Sequence, residues 1–141
     1  MANLNRKRGH RSAVEPKKIL ISFCFSKIDK TQGQTIEEWE QLGLLSTFIV
    51  KSQQISNMEY QQALAQQLIK QYTKVGFPEN SEFIEPKHVT PTYWAVIHIT
   101  QNSKEVVVGY LDENNVFYII FLDKEHKFWP TDIQSRGKNK R

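Results

Sequence analysis

Two runs in the C-terminal half, EVVVGYL (105–111) and VFYIIFLD (116–123), constrain this chain more than anything else in it. Both are apolar almost throughout, and only DENN separates them. A strand with one solvated face shows polar residues at alternate positions, whereas a strand apolar at every position needs cover on both faces, or on one face plus loops. The pair therefore predicts a hairpin at the centre of a sheet. YWAVIHIT (93–100), joined to the first run by QNSK, supplies a third strand.

Upstream, KILISFCFSKI alternates, with Ile19, Ile21, Phe23 and Phe25 on one face, and reads as a strand. TIEEWEQLGLLSTFIV follows the turn TQGQ. Thr35 and Glu38 form a capping box, and Glu37 and Glu38 sit at the positive end of the helix dipole. Ile36, Trp39, Leu42, Leu45, Phe48 and Ile49 recur at helical spacing, and Gly43 among them suggests close packing against a neighbour. A second helix starts at a Ser56/Glu59 capping box, with Ile55 and Tyr60 as a hydrophobic staple. It carries Tyr60, Leu64, Leu68, Ile69 and Tyr72 on one face, and Gly76 and Pro78 stop it. FPENSEFIEPKHVTPT is a long connection with three prolines, and loops of that length within a domain are often functional. The expected fold is α+β: one strand, two helices, then a three-strand antiparallel meander, with the helices packed on one face of the sheet.

A chain of 141 residues suits one domain, taken here as residues 19–133. The net charge of +4 is unevenly spread. Residues 1–18 hold six Lys/Arg against Glu15, and residues 134–141 hold four against no acid, so the ends carry +9. The body has nine lysines, fourteen acids and no arginine, which makes it −5. The two ends are expected to be disordered basic arms that contact nucleic acid through Arg6, Lys7, Arg8 and Arg11 and through Arg136, Lys138, Lys140 and Arg141. Cys24 is the only cysteine, which excludes an internal disulfide and fits a reducing cytoplasm; within ILISFCF it reads as a buried thiol. That run is too short for a membrane span and lacks the cleavage-site residues of a signal peptide, so no membrane association is expected.

Several chemistries are excluded. There is no CxxC pair or HExxH, no Gly-rich phosphate loop and no GxSxG elbow, so no metal and no cofactor is expected. The corner FLDKEHKFWP is what remains. Asp123 and His126 are three residues apart, a spacing that lets a carboxylate orient an imidazole acting as general base or acid. Lys124 and Lys127 are placed to hold a phosphate, and Trp129 offers a face for a base. The competing reading is a strand-ending turn whose charges face water. His98 reads as a satisfied sheet histidine, His88 as a loop residue, and Tyr93 and Trp94 as core aromatics.

The order strand, helix, helix and three strands is similar to that of the RelE/ParE-like bacterial toxins, which are small ribosome-dependent endoribonucleases and their relatives. The resemblance spans roughly residues 18–133. It implies an enzyme acting on RNA at the ribosome, held by an antitoxin, with Lys124, His126 and Lys127 falling where that family places charged catalytic groups. TQGQTIEEWE and VFYIIFLDKEHKFW also look like blocks from a family of small bacterial proteins of uncharacterised function. Two functions stay open: an RNA-interacting endoribonuclease, or a non-enzymatic module whose acidic body binds a protein while its basic tails bind nucleic acid.

Overall fold

The structure is a computed structural model and describes residues 18–72, 76–90, 93–100 and 103–129. Its elements, in chain order, are β1 (Ser22–Cys24), α1 (Ile36–Gln41), α2 (Leu44–Ile55), α3 (Tyr60–Ala65), β2 (Ile69–Gln71), β3 (Ala95–His98), β4 (Val106–Leu111) and β5 (Val116–Asp123). The class is α+β, but the sheet is mixed and has five strands in the order β1-β5-β4-β3-β2. β3, β4 and β5 pair antiparallel in turn, as their runs predict, and form the middle of the sheet. β2 adds antiparallel to β3, while β1 lies parallel to β5 with Ser22 beside Val116.

Three expectations need correction. The helix expected over TIEEWEQLGLLSTFIV is two helices. The Thr35/Glu38 capping box does open α1, with Glu38 N–H donating to Thr35 Oγ1 (3.1 Å) and Thr35 N–H to Glu38 Oε1 (2.8 Å). Gly43 then takes φ of 77°, left-handed backbone that ends one helix and starts the next. Nothing lies within 4 Å of where its Cβ would be, so backbone conformation and not close packing calls for glycine here. The break changes the helical phase. Trp39 and Phe48 stay buried, while Leu42 and Ile49 turn outward.

The second helix is shorter than its pattern. Ser56 caps the end of α2, and the capping box before α3 is Glu59 with Gln62. Gln67 at φ 62° ends the helical path, and Ile69–Gln71 run as an edge strand. Ile69 therefore reaches the core from a strand, and Tyr72 packs on the opposite face of the sheet. The first strand is also short. Ile21 and Phe23 point into the core, but Ile19 and Phe25 are exposed. Beyond β1, Asp29 N–H donates to the Ile120 carbonyl (2.8 Å) and Gln34 N–H to that of Leu122 (3.0 Å), so this segment continues the edge beside β5.

The two faces of the sheet are covered differently. Trp39, Phe48, Ile55 and Ala63 of the helices pack against Ile97, Val107, Phe117, Ile119 and Leu122 on one face. On the other face the proline-rich connection and the segment after β5 bring Phe77, Phe83, Val89 and Phe128 against Trp94, Val96, Val108 and Phe121. This two-sided cover is why β4 and β5 are apolar at successive positions. A bulge completes the pattern: Val108 faces Phe121 and Gly109 faces Ile119, leaving Ile120 as the extra residue. Ile120 and Phe121 thereby both enter the loop-side cluster.

Trp94 lies at the centre of that cluster, fully buried, with Phe77, Phe128 and Phe121 at centroid distances of 5.2, 5.4 and 6.1 Å. Among the described residues its indole N–H has no hydrogen-bond partner. Leaving a buried donor unpaired costs about 1–3 kcal/mol. Trp94→Phe keeps an aromatic ring and removes that donor, so it is expected to change stability by less than about 1 kcal/mol, whereas Trp94→Ala loses about 3–5 kcal/mol through the cavity it leaves. Urea midpoints of the two variants check this. Equal losses would show that the nitrogen is satisfied.

Candidate functional site

The site begins where β5 runs out. Asp123 is only 1% exposed, and both of its carboxylate oxygens are committed to the backbone. Oδ1 accepts from Lys127 N–H (3.0 Å) and Oδ2 from Phe128 N–H (2.8 Å). Such a cap closes a four-residue turn and seats the Phe128 ring in the core beneath it. The carboxylate that the Asp123/His126 spacing put beside the imidazole thus holds the corner together through its backbone bonds. Gln34 anchors the same corner from the other side, its Oε1 accepting from Lys124 N–H (2.7 Å) and from the Trp39 indole (3.0 Å). The carbonyl of Lys127 in turn accepts from Glu82 N–H, tying the proline-rich connection to the turn.

The charged side chains of the corner form their own surface cluster. Glu125 bridges Lys124 (3.2 Å) and Lys127 (3.1 Å). Hydrogen bonds from Lys127 and Lys124 hold the Glu125 carboxyl below its ordinary pKa, and the bond to Glu125 raises that of Lys127. All three side chains are 38–48% exposed. Ion pairs this wet add little to stability, so either ammonium is free to exchange Glu125 for another anion.

His126 occupies the tip of the turn with φ of 61°. A left-handed residue at that point swings the side chain back over the sheet, and its ring lies 5.4 Å from the ring of His98, tilted by 35°. His98 closes β3, and the register explains the meeting. His98 pairs with Val106, and Val106 with Asp123, so all three share one face at one end of the sheet. Reading His98 as a satisfied sheet histidine left its neighbour unnamed. The available signal was its alternation with Trp94 and Val96, which puts it on the face that the FLDKEHKFW corner covers.

The other expected residues disperse. Trp129 meets Tyr72 edge to face at 4.6 Å and is half-buried, so its ring is partly used in packing. His88 lies apart, its Nε2 2.9 Å from the Lys27 carbonyl. Cys24 is half-buried, not a core thiol; its hydrogen bonds with Ser26 lower its pKa. Among the described residues no three of His, Cys, Asp and Glu converge as metal ligands, and no helix is long and apolar enough to cross a membrane. Arg6, Lys7, Arg8, Arg11, Arg136, Lys138, Lys140 and Arg141 lie outside the described residues.

No family model matches this chain, and no curated protein and no solved structure matches it either.

Proposed function

We propose that this protein is an RNA-interacting endoribonuclease that works in the manner of the RelE-like toxins, with the His98–His126 pair as its reacting centre. The observation that supports this reading is the approach of two imidazoles, from distant parts of the chain, over one end of the sheet. RNA can be cut without a metal when one base removes the proton of the 2′-hydroxyl and one acid protonates the leaving 5′-oxygen. The O2′–P bond forms, the P–O5′ bond breaks, and the products are a 2′,3′-cyclic phosphate and a 5′-hydroxyl. His126 and His98 fill the two roles, and Lys124 or Lys127, released from Glu125, stabilises charge on the phosphate oxygens. The basic ends supply affinity through counterion release.

The test is an RNA cleavage assay on the full chain, with and without ribosomes. His126→Gly and His98→Gln are each expected to lower cleavage about 100-fold or more. Glycine relieves the left-handed backbone at 126, so that variant retains its stability or gains up to about 1 kcal/mol. Cleavage at the wild-type rate in both variants removes the pair from the chemistry.

A second reading has its own support. Leu42 at the end of α1 and Ile49 and Val50 midway along α2 stand 54%, 51% and 67% exposed, apolar side chains available to a protein partner. On that reading the body is a non-enzymatic interaction module. RNA binds without cleavage, and replacing the ten Lys/Arg residues of the two ends with glutamine abolishes the salt dependence of binding.

A further inference from the structure

A cleft of about 550 Å³ opens on the side of His98 away from the corner, and no role has been assigned to it so far. We propose that it binds a phosphoryl anion, and that the phosphate it takes belongs to the RNA strand next to the bond being cut. The inference rests on the RNA reading above for the source of the phosphate, and on the cleft itself for the chemistry.

The lining carries the argument. Lys51 from α2 and Lys70 from β2 reach it from different elements, and His98 closes one end. Among the described residues no carboxylate lines it, although acids outnumber lysines fourteen to nine in the body. Lys51 has a neutral neighbour, Gln54 Oε1 at 3.5 Å, and among the described residues neither lysine forms an ion pair. Two ammonium groups without a counter-charge in an acidic body constitute a local positive field, and a cleft concentrates it. Gln66, Gln67 and Ser103 add neutral hydrogen-bonding groups, the kind that engages sugar hydroxyls and base edges. The volume lies within the range of small-ligand sites and exceeds what one phosphate needs, so a nucleotide fits.

The register ties the cleft to the imidazole pair. Lys70 sits opposite Val96, and His98 is two residues further on β3, on the same face and diagonal to Lys70. Diagonal neighbours across an antiparallel pair lie about 7–8 Å apart. A phosphate held by Lys70 is therefore a single nucleotide step from one held between His98 and His126, while Lys51 adds its charge to the cleft from α2, which packs on the other face of the sheet. The cleft fixes the strand, and the imidazoles act on the neighbouring linkage.

The experiment uses the full chain, the Lys51→Gln/Lys70→Gln double variant and two probes. One probe is inorganic phosphate, followed through the imidazole resonances of His98. The other is a 2′-O-methyl oligoribonucleotide, which binds but cannot be cut, followed by fluorescence anisotropy. Expected are phosphate-induced shifts at His98 that vanish in the double variant, and an oligonucleotide affinity reduced about tenfold or more, with a shallower salt dependence. Absence of any shift at His98 with either probe overturns the site. Shifts with phosphate but unchanged oligonucleotide affinity overturn its assignment to RNA and point to a free phosphorylated small molecule. Oligonucleotide binding that depends on both lysines, in a protein that cuts no RNA, upholds the cleft while the endoribonuclease reading falls.

Discussion

Gly109→Ala is expected to cost about 3 kcal/mol or more, a large share of the roughly 5–15 kcal/mol that holds a domain of this size folded. A Cβ at position 109 would run into the Tyr118 carbonyl oxygen and lie 2.7 Å from Phe117 Cε1. The first obstacle is backbone, so no side chain can rotate away. The only relief is separation of β4 from β5 where the bulge already draws them together, in the most extensively paired part of the sheet. The strain then spreads to Phe117 on the helix side and to Phe121 on the loop side. Gly43→Ala provides the comparison. Its Cβ meets open space and only the left-handed backbone opposes it, so about 1 kcal/mol is expected. Guanidinium midpoints of the two variants, measured side by side, check both values. Similar small losses would mean that the β4–β5 pair yields easily.

Asp123→Ala is expected to lose about 2–5 kcal/mol. Two backbone N–H groups depend on the carboxylate, and one of them, on Phe128, is buried; each donor left unpaired costs about 1–3 kcal/mol. Asp123→Asn keeps one acceptor oxygen and presents an NH2 to the other donor, so its loss falls between alanine and wild type. The same substitution loosens the turn that carries His126. Activity and stability should therefore fall together, in contrast to His126→Gly, where only activity falls. Trp129 reports the event, since release of the turn undocks it from Tyr72 and its fluorescence shifts toward that of a solvated indole. An Asp123→Ala protein with normal stability and no activity would return the carboxylate to the catalytic role that its spacing from His126 suggests.

Local patterns in the sequence carried some of this structure and were silent on the rest. The β4–β5 hairpin and the Thr35/Glu38 capping box are local, and both appear where the sequence puts them. Gly43 fits a helical stripe as well as it fits a break, because the hydrophobic period says nothing about the sign of φ. Leu68, Ile69 and Tyr72 satisfy a helical face, yet Ile69 is drawn into a strand by pairing with Ile97. That tertiary contact outweighs local propensity. The corner was legible as a place, since charges following a buried strand mark its end. Its internal roles were not. Asp123 turned inward to the backbone, and alternation with Trp94 and Val96 gave the face of His98 but not the cross-strand register that brings it to His126.

The parallel pairing of β1 with β5 has a consequence for how the molecule is made. Ser22 and Val116 are neighbours in the sheet but stand 94 positions apart in the chain. Translation at about 5–20 residues per second places several seconds between the emergence of one strand and that of its partner. Throughout that interval Ser22, Phe23 and Cys24 lack their partner strand, and an apolar strand without its partner is the profile that recruits chaperones or other nascent chains. The helices can form early, but the sheet cannot be closed until residues 116–123 have left the exit tunnel. A message cut or stalled upstream of that point yields a product with β1 exposed, destined for proteolysis or aggregation. Placing β1 in the sheet therefore waits on the synthesis of β5.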